Sequence, residues 1–250
     1  MNTQVTQASS LLARKNALRI GLIGAMDEEV ELLKASLENR EDLQLAGYDF
    51  HTGQLHGVEV ILLKSGIGKV NAAIGCTLLL QHFKPDCVIN TGSAGGFDPA
   101  LNVGDIVICN AVCHHDVDVT AFGYAPGQVP GLPEVFLPHP ELADLAERCI
   151  ANMAGMHTCH GLIATGDQFM HDPERVEKTR ALFPNLTAVE MEAAAIAQTC
   201  YQFEVPFIII RALSDIAGKA SNLSFEQFLH VAAKHSAEMI ISMIDAAAKG

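Results

Sequence analysis

Short apolar runs alternate with helical patterns along most of this chain, and this alternation limits the folds open to it. Residues 18–23 form a short apolar run typical of a buried strand, and residues 27–37 place Val30, Leu33 and Leu37 at helical spacing. Similar pairs of segments recur as far as residue 248. The repetition predicts an α/β fold in which helices cover both faces of a largely parallel sheet.

The same patterns predict where the elements lie. His56 and Gly57 separate two strand-like runs and predict a hairpin, which adds antiparallel pairing and makes the sheet mixed. Ser224 and Glu226-Gln227 form a capping box that predicts the start of the last helix. We predict a single domain over residues 18–250. The predicted strands span residues 18–23, 48–55, 58–64, 87–91, 104–110, 161–165, 188–191 and 206–213, and the predicted helices span residues 27–37, 69–83, 140–153, 173–183, 192–203 and 224–248.

Charge and composition exclude several classes of function. A formal net charge of −13 disfavours nucleic acid and anionic membrane surfaces as partners, because both require a basic face. No apolar run approaches the roughly 20 residues that span a bilayer. Residues 1–17 lack the apolar core of a signal peptide and are predicted to be a flexible extension. The cysteine count of 7 is odd and irregularly spaced, which predicts a reducing, cytoplasmic location.

Two glycine-containing segments resemble nucleotide-binding loops but depart from them at required positions. Residues 21–26 follow a predicted strand, yet Ile23 stands where the dinucleotide-binding pattern needs its second glycine. Residues 65–70 resemble a Walker loop, but Leu63 replaces its first glycine and Val70 its metal-binding hydroxyl. Dinucleotide or ATP binding of these types is therefore disfavoured.

Two further segments could carry chemistry and are given simpler interpretations. Ser93 is not in a nucleophile elbow, because Thr91 occupies the position of the first glycine, so we interpret it as a hydroxyl donor. Residues 113–116, Cys-His-His-Asp, could bind a metal, but no second cluster stands at ligand spacing. We assign no metal and no cofactor.

Polar groups remain at the ends of four predicted strands, within residues 26–29, 92–96, 190–192 and 211–215. Ligands of open α/β sheets bind outside the carboxyl ends of the strands, so these groups are predicted to converge. The acids of Glu190-Met191-Glu192 stand in apolar surroundings, where an unpaired carboxylate is costly. One acid could face solvent while the other stabilises the N-terminus of the next helix, but Asp215 in a similar setting favours a site.

Several blocks are similar, in the same order, to bacterial 5'-methylthioadenosine/S-adenosylhomocysteine nucleosidases of the purine nucleoside phosphorylase superfamily. The resemblance covers most of the chain after Leu18. It implies a three-layer α/β/α sandwich with a mixed central sheet, nucleoside phosphorylase-like, and a homodimer. The implied reaction is hydrolysis of the N-glycosidic bond of a 5'-thio-substituted adenosine, without a cofactor. The matching blocks are residues 20–30, 52–54, 64–70, 90–96, 119–124, 189–193 and 211–215.

The resemblance also implies roles for individual residues. Asp215 matches the acid that protonates adenine, and its place after an apolar strand suits a raised pKa. Glu29 matches the base that activates water, and Glu192 the residue that binds the ribose hydroxyls. Met191 would pack against the sugar and Phe169 would stack on adenine.

The remaining implied positions fall into three groups. Met170 would present its backbone to the adenine edge, and Glu190 and Arg211 would support the ribose site. Val119, Phe122 and Pro130 match residues that a partner subunit contributes to the alkylthio pocket. Further pocket positions are Met26, Ile67, Ser93, Ala94, Gly95, Ser214 and Phe225.

Three alternatives compete with this hypothesis. A phosphorylase of the same fold would need arginines for phosphate, but residues 26–29 offer carboxylates and residues 90–93 carry no arginine. A non-catalytic nucleoside sensor would not need both Glu29 and Asp215. The third alternative is an aminofutalosine nucleosidase of menaquinone synthesis, because the sequence does not distinguish methylthio, homocysteinyl, 5'-deoxy and aminofutalosine substrates.

Overall fold

The structure, a computed structural model, describes residues 10–13, 18–150, 157–217 and 221–249, with the backbone alone at residues 13 and 221–224. Within these ranges the elements alternate as the apolar patterns indicate. The strands are β1 Arg19–Gly24, β2 Glu38–Leu45, β3 Tyr48–Leu55, β4 Val58–Lys64, β5 Cys87–Asn90, β6 Ser93–Gly96, β7 Ile106–His114, β8 Thr158–Thr165, β9 Leu186–Glu190 and β10 Phe207–Ile216. The helices are α1 Asp27–Ala35, α2 Lys69–Phe83, α3 Pro140–Ile150, α4 Pro173–Leu182, α5 Ala193–Gln202 and α6 Ser221–Lys249.

The strands form one mixed sheet in the order β2-β3-β4-β1-β5-β10-β6-β9-β8-β7. The pairs of β1 with β4 and β5 are parallel, whereas β3 runs antiparallel to both β2 and β4. Strand β10 is the longest, and it pairs with β5, β6 and β7 along successive parts of its length. Because β7 pairs with both β8 and β10, this half of the sheet curls back on itself.

Helices cover both faces of the sheet and give the three-layer α/β/α sandwich that the resemblance implies. Helices α1 and α3 pack against α6 in one layer, and α2 packs against α5 in the other. The central strands β5 and β10 are buried on both faces, which is why their sequences are nearly continuous apolar runs. The predicted hairpin between β3 and β4 is present, with both His56 and Gly57 at positive φ.

The structure differs from the predicted elements most at four places, and other ends shift by a few residues. Strand β7 runs to His114 rather than ending at the predicted residue 110, so Cys113 and His114 belong to the sheet. The predicted end of the third helix, residues 151–153, lies outside the described residues. Strand β2 was not predicted, because its residues are almost all exposed and charged or polar, as is common on the edge of a sheet. Residues 93–96 form strand β6 rather than only a strand end. Helix α6 begins at Ser221 and not at the predicted capping box, so Ser224 lies inside the helix.

The predicted extension lies mostly outside the described ranges. Its described part includes a short 3-10 turn, Leu11–Ala13, next to helix α3. Ser10 Oγ and the N–H groups of Leu11 and Leu12 donate to the carboxylate of Glu141. The domain boundary at residue 18 stays a prediction. Among the residues described, no helix combines the length and apolar character needed to cross a bilayer.

Candidate active site

A single cavity receives polar groups from the carboxyl ends of strands β1, β9 and β10 and from strand β6, which the strand-end pattern predicted to converge. Segments after β8 and the start of α6 complete its wall. The residues expected at the site that line this cavity are Met26, Glu29, Ile67, Ser93, Ala94, Gly95, Phe169, Met170, Glu190, Met191, Glu192, Ser214, Asp215 and Phe225.

Glu29 is buried at the start of α1, and donors fix both of its carboxylate oxygens. Oε2 accepts the N–H groups of Ala25 at 2.8 Å and Met26 at 3.3 Å. Oε1 accepts the N–H of Ser93 at 2.8 Å and its hydroxyl at 2.9 Å. This bonding locks the carboxylate at the junction of β1 and β6, where it faces the cavity.

Gly92 allows the backbone to pass close to this carboxylate. Its φ is +152°, and a Cβ atom there would lie 2.8 Å from Glu29 Oε1. A larger residue would therefore displace Glu29. Gly92 thus makes room for the acid, and Ser93, the first residue of β6, supplies it with donors.

Glu190, which lines the cavity, forms a buried ion pair with Arg211, which stands behind it. Arg211 Nη2 donates to Glu190 Oε2 at 2.6 Å and to Asn90 Oδ1 at 2.6 Å. The same Glu190 oxygen accepts the N–H groups of Glu192 and Ala193, at the N-terminus of α5. Glu190 is therefore committed to its arginine and to the helix end, where negative charge is favoured.

Glu192 has a different environment, although it is only two residues away. It is buried and accepts one hydrogen bond, from the N–H of Gly68 at 2.8 Å. Burial raises the pKa of Glu192 to about 8, and the charge of Glu190 adds to the shift while Arg211 opposes it. Among the bonds described, its second carboxylate oxygen has no donor, so it can bind a ligand hydroxyl in the cavity.

Asp215 lies near the end of β10 and is nearly inaccessible to solvent. Burial raises the pKa of Asp215 to about 6, although the Ser214 hydroxyl, which donates to Oδ1 at 3.0 Å, lowers it in part. Gly95 keeps the adjacent strand clear, because a Cβ there would lie 3.2 Å from Oδ2. The site therefore offers a carboxylic acid that can carry a proton close to neutral pH.

Apolar and aromatic side chains form the rest of the wall. The rings of Phe169 and Phe225 meet edge to face with centroids 5.8 Å apart. Met170 is buried beside them, and Met191 lies next to Glu192. Flat aromatic and polarizable sulfur groups suit a planar base and the face of a sugar.

Four expected residues lie outside this cavity. Arg211 stands behind Glu190 and does not line the cavity, so its side chain does not contact a ligand there directly. Val119, Phe122 and Pro130 lie in the irregular segment after β7, and Phe122 is 82% exposed. Sequence reasoning missed Ala25, Gln168 and Val189, which line the cavity. Each of these adjoins an expected residue, and that adjacency was the available signal.

The two segments that suggested other ligands have structural roles. Lys69, in the Walker-like loop, forms an ion pair with Asp116, the last residue of the Cys-His-His-Asp segment, with an Nζ to Oδ1 distance of 2.7 Å. His114 contacts the side-chain amide of Gln198 at 3.0 Å. In the part of the chain that is described, no three His, Cys, Asp or Glu side chains are grouped to hold a metal ion.

The fold and cavity can be compared with known proteins. Residues 19–245 match the model of the phosphorylase superfamily. A relative from Geobacillus thermodenitrificans, named 5'-methylthioadenosine/S-adenosylhomocysteine nucleosidase, is 63% identical over 91% of this chain and 96% of its own length. The solved nucleosidase of Colwellia psychrerythraea in complex with adenine has a TM-score of 0.90 and 49% identity, covering 92% of this chain and 96% of that one. The Neisseria meningitidis enzyme with methylthio-immucillin-A has a TM-score of 0.89 and 48% identity, covering 91% and 98%.

The sandwich and its acidic cavity at the strand ends are thus those of the phosphorylase superfamily. In each of these relatives the similarity extends over nearly the whole length of both chains. The chain belongs to the 5'-methylthioadenosine/S-adenosylhomocysteine nucleosidase family.

Proposed function

We propose that this chain is an N-glycosyl hydrolase that cleaves 5'-methylthioadenosine and S-adenosylhomocysteine to adenine and the corresponding thioribose. The observation that carries the proposal is a cavity in which the carboxyl groups of Glu29, Glu192 and Asp215 face one space between apolar walls. Adenine is a poor leaving group as an anion, and the sugar becomes cationic as the bond breaks. A proton donor and negative charge near the sugar meet both requirements.

Each acid has a proposed role that follows from its environment. Asp215, with its raised pKa, donates a proton to the adenine ring as the bond to the sugar breaks. Glu192 binds the ribose hydroxyls through the oxygen that Gly68 does not occupy. Glu29, whose carboxylate the donors hold in its charged form at the cavity, accepts a proton from the attacking water.

Water, rather than phosphate, is the proposed nucleophile. Among the described lining residues there is no arginine or lysine to pair with a phosphate group. Arg211 stands behind Glu190 and does not line the cavity, and Glu190 and Asn90 occupy its Nη2. Phosphate would instead meet the carboxyl groups of Glu29, Glu190, Glu192 and Asp215, which offer it no cationic partner.

The proposed assembly is a homodimer in which a partner loop closes the alkylthio end of the cavity. Phe122 is 82% exposed although it is a large apolar residue, and Val119 and Pro130 share its segment. Ile67, Val70 and Ile74 extend an exposed apolar surface from the cavity along α2. Changing Phe122 to Asp should weaken dimerisation and raise KM for methylthioadenosine, and a fully active monomeric F122D enzyme would contradict the proposal.

The proposed setting is the cytoplasm, where this activity would serve methionine salvage and the formation of quorum-signal precursors. The seven cysteines are all unpaired and six are buried, which suits a reducing compartment.

The proposed range of substrates also includes 5'-deoxyadenosine, and aminofutalosine is the competing substrate. The test compares kcat/KM for these nucleosides with and without phosphate, followed by identification of the sugar product. Formation of ribose 1-phosphate products would overturn hydrolysis, and a dominant kcat/KM for aminofutalosine would overturn the proposed substrate class.

A further inference from the structure

Three loops meet at the N-terminus of helix α2, beside the cavity. Lys69, the first residue of α2, forms an ion pair with Asp116 from the segment after β7. Asp116 Oδ2 accepts the N–H of Asp167, which follows β8, at 3.0 Å. Asp167 Oδ1 in turn accepts the N–H of Lys69 at 2.8 Å. These contacts form a closed ring of three residues from three separate parts of the chain, which we call the α2 clamp.

The α2 clamp continues directly into the proposed sugar site. Gly68, the residue before Lys69, donates its N–H to Glu192 Oε1 at 2.8 Å. The first N–H groups of a helix lack partners within the helix, and here the carboxyl groups of Glu192 and Asp167 accept the adjacent N–H groups of Gly68 and Lys69. Gly68 has φ +96°, and a Cβ there would lie 3.1 Å from Asp167 Oδ1. The loop is therefore shaped to bring both carboxylates to one helix end.

The clamp also joins two walls of the cavity. Asp167 directly precedes Gln168, Phe169 and Met170, which form the apolar wall, and Gly68 follows Ile67. Lys69 and Asp116 have exposed side-chain fractions of 21% and 15%, so solvent screens their pair less than a surface ion pair. None of the three clamp residues lines the cavity. Any effect that they have on a substrate passes through Gly68 and Glu192, or through the segment after Asp167.

We propose that Lys69, Asp116 and Asp167 are positioning residues that hold the Gly68 N–H against Glu192 and thereby set the enzyme's preference for substrates with ribose hydroxyls. This inference rests on the proposed function, in which Glu192 binds those hydroxyls. A clamp that served only stability would affect all substrates alike. A clamp that orients Glu192 affects a substrate only when it carries the hydroxyls that Glu192 binds.

The test measures kcat/KM for adenine release from methylthioadenosine and from its 2',3'-dideoxy analogue. The ratio of the two values reports the contribution of the hydroxyls. We expect Asp167→Ala to lower this ratio about tenfold, because it removes a charged acceptor from the helix end. Lys69→Met should lower it roughly threefold, since the Lys69 N–H still reaches Asp167. Asp167→Asn keeps an oxygen acceptor and should restore most of the ratio.

Lys178→Met is the matched control, because it removes a lysine from an exposed ion pair with Glu174 on α4, away from the cavity. It should leave the ratio unchanged. If Asp167→Ala and Lys69→Met lower kcat/KM equally for both substrates, the clamp has only a structural role and the inference is wrong. Lys69→Met alone decides the matter if Asp167→Ala does not fold.

Glu192→Ala distinguishes a failure of the clamp inference from a failure of the proposed function. The variant should lower the ratio at least as much as Asp167→Ala. If Glu192→Ala leaves the ratio unchanged, the proposed role of Glu192 fails and the clamp inference fails with it. If the unmodified enzyme releases no adenine from either substrate, the proposed function itself is wrong. If Glu192→Ala lowers the ratio and the clamp variants do not, the function stands and the clamp inference alone is overturned.

Discussion

Asp215 is expected to make adenine release fall as pH rises, because a general acid must carry its proton before it can donate it. Burial raises the pKa of Asp215 to about 6. If kcat/KM follows the protonated fraction, it falls about twofold from pH 5 to pH 6 and about tenfold from pH 7 to pH 8. The measurement is kcat/KM for methylthioadenosine across this range, in buffers of constant ionic strength.

A change at Ser214 tests whether Asp215 produces the falling limb of this pH profile, the range in which kcat/KM decreases. Its hydroxyl donates to Asp215 Oδ1 at 3.0 Å and lowers the pKa by stabilising the charged carboxylate. Ser214→Ala removes that bond, so the pKa of Asp215 should rise further and the limb should move upward by about one pH unit. A separate limb from Glu192, whose pKa burial raises to about 8, should stay where it is.

Two results would refute this reasoning. A Ser214→Ala profile that coincides with that of the unmodified enzyme, or that moves to lower pH, means that Asp215 does not produce the limb. Asp215→Asn that retains near-normal turnover means that Asp215 is not the acid. The expected outcome for Asp215→Asn is loss of adenine release with retained nucleoside binding, because an amide can donate a hydrogen bond but cannot transfer its proton.

Three further predictions concern the other charged groups of the site. Glu29→Gln should lower kcat for methylthioadenosine by at least about 100-fold, as expected for loss of a general base, and equilibrium binding of the nucleoside should show little change. Arg211→Met should lower the free energy of unfolding by about 3–5 kcal/mol in urea titrations, because it leaves the buried charge of Glu190 unpaired; a loss below about 1 kcal/mol would be too small for this account. The pKa of Glu192 is raised from 4.5 to about 8 in the folded state, so stability from this group falls as pH rises across that window. Glu192→Gln should therefore lose less stability than the unmodified enzyme between pH 5 and pH 8, and parallel curves would contradict the shift.

The different roles of Glu190 and Glu192 could be predicted only in part from the sequence. Glu190 and Glu192 are near neighbours of the same type, and the sequence suggested that one of them could serve the helix end. The structure places Glu190 at the N-terminus of α5 with Arg211 and turns Glu192 toward the cavity. Which acid takes which place depends on Arg211 and Gly68, which lie far from both along the chain.

Other site features could not be read from the sequence because they depend on contacts between distant segments. Lys69, Asp116 and Asp167 belong to three separate segments, and nothing in the sequence indicates that these segments meet. Only the packing of α2 against the loops after β7 and β8 brings the three residues together. Strand β2 escaped prediction for a related reason, since its exposed, charged residues are held in a strand by pairing with β3.

The sequence by itself determined the α/β class, the positions of most central elements and the strand ends at which the acids gather. These properties follow from local apolar periodicity and from the rule that ligands bind at the carboxyl ends of strands. Only the tertiary structure decided the protonation and the partners of each acid. Burial and charged neighbours shift a pKa through space, so the raised pKa values of Asp215 and Glu192 depend on how the strands pack around them.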